Sequence, residues 1–431
     1  MMRTQVVGIG EQGKYDLFAL SLPIWAFLWG IVLSFSFPAG SGSMVVAFLL
    51  LISIIALVIR KKVDKSLADS WKYFFLMLFC SIPKAALSSI FLDGSLYLAG
   101  WLICATICNA DFRPKRIMKL IYIMGVVIAV LILVDVVTGI FSRSLLSLYN
   151  ESARLLKLNA DHTAGLFALS AVHGGFLVSG LGAGYFLQEL KEEKTKWWYV
   201  TLVLYIFALI YINKRGFLLD LFLIYSSFKC INFFANQKVK LHRKGMLKTV
   251  FLLLMLIVIY FSSDTVRIYF DIIVSKFLKL ASSDTTLSGR IPLYYAALRG
   301  FIAHPWSGIG WGHFKEFSLG VLSQTKDFET HNVYLQILCE AGIFGLITFL
   351  YAVFSTLLKT VAKYRESIQG NNKELVSVYG FSLFQQLLFI TYGLSGNPLY
   401  DYNFMLMYFS GVIMMNYSSC LRRQVLRKSN L

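Results

Sequence analysis

The chain has 431 residues, of which 57% are hydrophobic and only 15% are charged, and its mean hydropathy is +0.65. Because soluble domains carry about 25% charged residues, this composition excludes a soluble enzyme, a disordered chain and a disulfide scaffold, and it is typical of a polytopic helical membrane protein. The net charge of +18 would indicate a nucleic-acid partner on a soluble protein, but here the basic residues cluster in short loops between apolar segments, so no nucleic-acid partner is expected.

Twelve predominantly apolar segments are candidates to cross a bilayer, which takes about 20 residues. They are residues 16–36, 43–59, 71–91, 95–109, 120–140, 164–188, 197–213, 216–235, 249–263, 332–356, 375–394 and 403–419. Pro83, Lys84 and Asp93 interrupt the third and fourth segments. The sequence therefore predicts an all-α integral membrane protein with about twelve transmembrane helices, formed as a single polytopic domain over residues 1–431.

The loops after the second, fourth, eighth, tenth and twelfth segments are rich in lysine and arginine. With this segment count they all lie on one side of the membrane, and an excess of basic residues marks the cytoplasmic side. Both termini are then expected in the cytoplasm. The longer loops on the opposite, outer side are residues 141–163 and 264–331.

The longer outer loop, residues 264–331, is expected to be partly helical. Residues 265–280 are amphipathic, which is typical of a helix lying in the membrane interface. A second helix is predicted near residues 290–303, with Ser288 as a candidate cap and a His-Pro pair at its end. A glycine-rich turn, SGIGWG, follows this helix and lets the backbone approach a ligand or another helix.

Two residues at the junction of this loop with the tenth span, His331 and Asn332, are candidates for chemistry. An imidazole at the mouth of a membrane protein can act as a general base near neutral pH. The alternative is an interfacial histidine that merely caps a helix. Gly342 and Gly345, further along the same span, permit close helix packing.

Basic residues on the outer side run against the usual charge distribution and are candidates for an anion site. Lys214 and Arg215 stand between the seventh and eighth spans, and Arg290 stands at the start of the predicted loop helix. A guanidinium matches phosphate in a bidentate manner, and a helix N-terminus favours anions. The alternatives are interfacial snorkelling for the Lys-Arg pair and an exposed loop arginine for Arg290.

Other outer-side residues give weaker signals. Arg154 and His162 lie in the first outer loop, where His162 could touch sugar hydroxyls, and His313 follows the glycine-rich turn. The nearby aromatic residues Trp306 and Trp311 could stack on sugars or could form an ordinary aromatic belt.

The stretch SGRIPLYYAALRGFIAHPWSGIGWGHF, followed by HNVYLQILCEAGIFG, resembles the signature of the O-antigen ligase and O-antigen polymerase family. The family pattern has an arginine-glycine pair after a span, a loop arginine, a proline-glycine segment, and a His-Asn pair followed after nine residues by Gly-x-x-Gly. The matching residues are Lys214-Arg215-Gly216, Arg290, Pro305, Gly308, Gly310, Gly312, His331, Asn332, Gly342 and Gly345. The detailed match covers residues 215–346. Leu346 stands where ligases often have Thr or Val, which slightly favours the polymerase subclass.

The resemblance implies a GT-C-like fold and an enzyme of the bacterial inner membrane, with its active site on the outer face and partly on the loop 264–331. Such an enzyme transfers a glycan en bloc from undecaprenyl diphosphate to an acceptor hydroxyl, in O-antigen or capsule assembly, without a cofactor or metal. It implies Arg215 and Arg290 as the diphosphate clamp and His331 as the catalytic base. Inversion is expected, because the sequence offers no evident nucleophilic carboxylate.

The acceptor remains open at this stage. A polymerase would use another lipid-linked glycan, and a ligase would use the lipid A-core or, in a related enzyme, a protein. A lipid-glycan flippase is a third reading, but it would place charged residues throughout the spans rather than in outer loops. Besides the donor, the acceptor and the bilayer, a chain-length regulator is a candidate partner.

Overall fold

The structure, a computed structural model, describes residues 17–38, 40–60, 65–107, 113–158, 164–191, 195–212, 214, 216–235, 287–322 and 329–417. Within these ranges the regular secondary structure is helical, apart from an isolated bridge between Phe35 and Tyr149. The α-helices are α1 Leu17–Ser34, α2 Ser41–Arg60, α3 Lys65–Ser81, α4 Leu87–Ile107, α5 Pro114–Thr138, α6 Glu151–Leu158, α7 Ser170–Glu189, α8 Lys196–Tyr211, α9 Gly216–Ala235, α10 Leu287–Ala303, α11 Phe314–Leu322, α12 Val333–Gln369, α13 Lys373–Tyr392 and α14 Tyr402–Met414.

The helices agree with the predicted membrane spans. Every predicted span except the ninth overlaps a helix, and the ninth, residues 249–263, lies outside the described residues, as does the amphipathic segment 265–280. In the described part of the chain, 6 helices are long and apolar enough to cross a membrane, and shorter apolar helices accompany them. The protein is therefore an all-helical, multi-pass membrane protein.

The third and fourth spans differ from the prediction at their boundaries. Helix α3 ends at Ser81, before the 3₁₀ turn that contains Pro83, since proline disfavours a helical residue before it. Helix α4 begins at Leu87 instead of residue 95 and contains Asp93. This carboxylate is buried, and it accepts hydrogen bonds of 2.6 Å from Trp311 Nε1 and 2.6 Å from the Tyr402 hydroxyl. A charged residue with such partners can lie inside an apolar helix.

The tenth predicted span is sharply bent near its beginning. Within α12, Gly342 has non-helical angles, with φ 69° and ψ −169°. The rings of Tyr334 and Phe349 lie 6.1 Å apart, whereas a straight helix would separate residues at this spacing by about 22 Å. The first turns of α12 therefore fold back at Gly342, and the segment that can cross the membrane starts at Ile343.

The glycine-rich loop, defined here as residues 305–313, fills the break in α12. The N–H of Ile343 donates to the Pro305 carbonyl at 2.9 Å, and the N–H groups of Ile309 and Gly310 donate to the carbonyls of Cys339 and Glu340 at 2.9 and 3.0 Å. The loop thus satisfies backbone groups that a continuous helix would have paired internally. Gly310 has φ 108°, and a Cβ there would collide with the Lys84 carbonyl, which explains why this approach requires glycine.

The glycine-rich loop is also held by side chains from inside the bundle. The buried Glu340 carboxylate accepts from the N–H of Gly312 at 3.1 Å and from that of Phe314 at 3.0 Å. Trp311 is fully buried and stacks on Tyr400 with 4.7 Å between ring centroids. Trp311 is therefore a core residue in this structure and not a surface platform for sugars, whereas Trp306 is exposed and stacks on Phe344.

The predicted loop helix is present as α10, Leu287–Ala303. It ends immediately before His304-Pro305, as expected. It begins one residue before the candidate cap Ser288, which therefore lies inside the helix. The buried face of α10 packs on α12, and Gly300 lies against Cys339.

Substitution Gly342→Ala is expected to destabilise the protein. Its combination of positive φ with ψ near 180° is essentially confined to glycine and costs another residue about 1–3 kcal/mol, and the added Cβ would collide with the Trp306 carbonyl. Gly320→Ala in α11 is the matched control, because nothing lies within 4 Å of its Cβ position and alanine favours helix by about 1 kcal/mol. The thermal unfolding temperature in detergent should fall for Gly342→Ala and hold or rise for Gly320→Ala. Equal temperatures for the two variants would contradict the assigned break.

Candidate functional site

Charged residues from four separate segments meet at one end of the helical bundle. Lys214 precedes α9, Arg290 lies in the first turn of α10, His331 precedes α12, and Asp401 precedes α14. Arg290 and Lys214 both act electrostatically on His331, and Asp401 acts on Lys214. We call this group, together with Glu329, the charged cluster.

The turn before α12 is built by residues 329–332. Asn332 is the N-cap of the helix, and its Oδ1 accepts from the N–H groups of Tyr334 and Leu335, each at 3.1 Å. The Thr330 hydroxyl donates to the Asn332 carbonyl at 2.7 Å. Asn332 therefore ties the start of α12 to the turn that carries His331.

His331 does not cap the helix, so the capping alternative is wrong for this residue. It adopts φ 54°, a left-handed conformation that is uncommon for a residue other than glycine. Burial, together with Arg290 and Lys214, lowers the pKa of His331 to about 4, and Glu329 opposes this shift. The imidazole is therefore neutral at physiological pH and retains a nitrogen that can accept a proton.

The other ionisable groups of the charged cluster are shifted as well. Burial and the nearby Arg290 lower the pKa of Lys214 to about 8, while Asp401 opposes the shift. Burial and the nearby Glu329 raise the pKa of Asp401 to about 7, and Lys214 opposes it. Lys214 is thus still mainly a cation at neutral pH, whereas Asp401 is divided between its two protonation states.

The loop between α13 and α14 is bonded directly to the turn that carries His331. Asn397 Nδ2 donates to Glu329 Oε2 at 2.9 Å and to Gln336 Oε1 at 2.8 Å. The N–H of Val333 donates to the carbonyls of Gly393 and Gly396 at 3.0 and 3.1 Å. These contacts fix the position of Asp401 relative to His331.

Several residues proposed from the sequence are not placed in the charged cluster. Arg215 and His162 lie outside the described residues. Arg154 lies on α6 beside the turn 146–148, and it is not among the charges that act on His331. His313 lies at the start of α11, where its Nδ1 is 3.6 Å from Glu316 Oε2, and it too is absent from the charges on His331.

Sequence reasoning missed Glu329, Asn397 and Asp401. The signal for the last two was present in GLSGNPLYDY, where polar residues interrupt two apolar spans. Nothing in that stretch indicated its contact with the turn before α12, because the contact joins residues more than sixty positions apart.

The structure therefore defines a multi-pass membrane protein whose helix ends gather two cations, an imidazole and two carboxylates. Residues 200–350 match the family model described as O-antigen ligase, so this part of the chain is an O-antigen ligase family domain. Lys214, Arg290 and His331 lie within it. Enzymes of this family are membrane transferases of lipid-linked glycans in surface polysaccharide assembly. No curated protein matches the chain significantly.

The pKa of His331 offers a direct test of the cluster geometry. Because a nearby cation disfavours the imidazolium, Lys214→Met should raise this pKa from its value of about 4 toward that of a free histidine. The Cε1 chemical shift of His331 measures the titration in histidine-labelled protein, with the resonance assigned from His331→Gln. Lys84→Met removes a lysine that does not act on His331 and serves as control. An unchanged pKa of His331 in Lys214→Met would show that Lys214 does not act on His331 and would contradict its place in the charged cluster.

Proposed function

We propose that the charged cluster is the active site of a glycosyltransferase that moves a glycan en bloc from undecaprenyl diphosphate to an acceptor hydroxyl. The observation that carries this proposal is the meeting of Arg290, Lys214 and His331, which come from three segments of the O-antigen ligase family domain. Two cations suit a diphosphate, and a neutral imidazole suits a hydroxyl that must lose a proton.

The leaving group explains the cations. When the bond between the anomeric carbon and the diphosphate oxygen breaks, negative charge develops on the diphosphate, and preorganised positive groups stabilise it. Arg290 would supply a bidentate fork and Lys214 a point charge. Arg215, next to Lys214 in the chain, is proposed as a further member of this clamp. Glu329 and Asp401 partly neutralise the cations and limit their mutual repulsion.

His331 is proposed as the general base that takes the proton from the acceptor hydroxyl. A general base needs an unprotonated nitrogen, and the lowered pKa of His331 keeps its ring neutral. Glu329 is engaged by Asn397 and, at 3.4 Å, by Lys315, so a covalent glycosyl intermediate on this carboxylate is disfavoured. We therefore propose direct displacement with inversion, without metal or cofactor, which the anomeric configuration of the product checks by NMR.

The orientation and architecture are part of the same proposal. Both termini lie in the cytoplasm of a bacterium, the twelve spans form one GT-C-like domain in the inner membrane, and the cluster faces outward. The loop 264–331 brings Arg290 and His331 to it. This arrangement follows from the basic segments after the second, fourth, eighth, tenth and twelfth spans and from the long loop between the ninth and tenth spans.

A polymerase is the favoured subclass, on the ground of Leu346, and the acceptor would then be a second lipid-linked glycan. Purified protein in nanodiscs, given lipid-linked donor and EDTA, should produce a ladder of longer lipid-linked glycans. Transfer only after lipid A-core is added would identify a ligase, and transfer only to protein would identify a protein glycosyltransferase. Movement of the donor across the bilayer without any transfer would indicate a flippase and contradict the proposed reaction.

Removal of the Arg290 guanidinium should slow transfer strongly. Loss of one preorganised donor to a developing oxyanion costs about 10²–10³ in rate, so Arg290→Ala should show a decrease of this order in kcat/KM. Arg290→Lys should recover only part of it, because an ammonium cannot form the bidentate pair. Arg299→Ala on the same helix is the control, since its guanidinium lies over the Tyr295 ring at 5.9 Å. Equal activity of the Arg290 and Arg299 alanine variants would contradict the proposed role of Arg290 in binding the diphosphate.

Substitution His331→Ala should reduce turnover by about 10²–10⁴, the usual contribution of a general base, while donor binding persists through the cations. In the wild-type protein, kcat/KM should decline in acid as the imidazole becomes protonated with a pKa of about 4. The measurement pairs transfer with donor binding on the same preparation. His313→Ala, at a partly exposed histidine whose Nδ1 lies 3.6 Å from Glu316 Oε2, should behave like wild type. Near-normal transfer by His331→Ala would refute the base assignment.

A further inference from the structure

The loop helix α10 has an unusual distribution of side-chain sizes. Its buried face is formed by Leu293 and by small residues, whereas its exposed face carries large apolar residues at spacings of four, three and four positions. The exposed stripe of α10 consists of Ile291, Tyr295, Leu298 and Ile302. Ile302 is 74% exposed, while Ala296 and Ala297 are buried. A helix in water shows the opposite arrangement, with its large apolar residues turned inward.

The exposed stripe of α10 continues onto a membrane-spanning helix. Trp306, just beyond the end of α10, is exposed and stacks on Phe344 with 5.5 Å between ring centroids. Phe344 begins the exposed apolar stripe of α12, on the segment that can cross the membrane. That stripe contains Phe344, Ile347, Tyr351, Phe354 and Leu358. Trp306 follows Ile302 by four positions in the chain and contacts Phe344, so it connects the end of the first stripe with the start of the second.

Polar groups border this surface where the helix ends. The Lys84 ammonium lies 3.0 Å from His304 Nδ1, both residues are exposed, and His304 precedes Trp306 by two positions in the chain. Exposed tryptophan next to a lysine is typical of the level at which lipid headgroups meet the hydrocarbon region. An exposed apolar stripe on a membrane-spanning helix is expected to face lipid, and the α10 stripe beside it is then expected to meet the same environment.

We propose that the exposed stripe of α10 and Trp306 insert into the membrane surface, so that α10 is an interfacial helix in contact with lipid. Arg290 directly precedes the first stripe residue, Ile291. A lipid-bound phosphate could therefore reach the charged cluster from the bilayer surface without leaving the membrane. This second step rests on the proposed function, whereas the lipid contact itself does not.

The lipid contact is tested by spin labelling without reference to activity. p-Acetylphenylalanine is placed at position 302 or, as control, at the adjacent exposed position Ala303, and a ketone-reactive nitroxide is attached to it. The labelled protein is reconstituted in nanodiscs of phosphatidylethanolamine and phosphatidylglycerol. Power-saturation EPR then compares collisions with oxygen, which concentrates in lipid, and with a water-soluble nickel chelate. The ratio of oxygen to nickel accessibility should be several-fold higher at 302 than at 303.

The other outcomes of this experiment contradict the proposal. Equal nickel accessibility at both positions would place the stripe in water. Low accessibility of position 302 to both reagents would show that another part of the protein, or a second copy, covers it. Retained gel-filtration behaviour of both labelled proteins confirms that they are folded.

The route of the donor is tested by comparing two donors. The transfer rate is measured in nanodiscs with two donors that carry the same glycan, one on a long-chain lipid and one on a short, water-soluble prenyl diphosphate. The double variant Leu298→Asn/Ile302→Asn should lower the ratio of the long-chain rate to the short-chain rate several-fold. Ala303→Asn should leave this ratio unchanged. An unchanged ratio in the double variant overturns entry along α10. Absence of transfer by the wild-type protein from either donor would instead refute the proposed function, and the EPR result would still decide the lipid contact.

Discussion

The break of α12 at Gly342 is the constraint on which the rest of this structure depends. Inside a bilayer no water can pair with a free backbone group, so an interrupted helix persists only where other parts of the protein complete its hydrogen bonds. The glycine-rich loop does this for Cys339, Glu340 and Ile343. The break and the loop therefore require each other. Because the chain turns back at Gly342, the start of α12 lies against the bundle and carries His331 to the charged cluster.

Two buried carboxylates connect this packing to the site. Tyr400 donates to Glu340 at 2.7 Å and Tyr402 donates to Asp93 at 2.6 Å, and the same carboxylates accept from the glycine-rich loop. Asp401 lies between these two tyrosines in the chain. Its position is thus fixed by the groups that also hold the loop. A carboxylate that receives several hydrogen bonds offsets part of its own desolvation, which makes such burial tolerable.

The sequence predicted the helical spans because hydrophobic runs of the required length are a local property. It also indicated Lys214, Arg290 and His331, since polar residues between apolar segments are conspicuous. It could not indicate the fold-back of α12, because a glycine in an apolar helix is compatible with close packing as well as with a break. From the sequence, Asp93 interrupts an apolar run, because its partner Trp311 lies 218 positions away in the chain. Glu329 and Asp401 were missed for the same reason: their neighbours are assembled by the fold.

The electrostatics of the charged cluster also imply that, in the proposed reaction, the donor binds before His331 becomes an effective base. Burial, together with its positive neighbours, lowers the pKa of His331, so on its own the imidazole is a weak base toward any hydroxyl, water included. A diphosphate bound between Arg290 and Lys214 would bring negative charge to the same neighbourhood and offset those cations. The basicity of His331 would then increase only when the donor is in place. A single arrangement of charges would thereby bind the leaving group and strengthen the base, while Glu329 and Asp401 within the cluster offset part of its positive charge.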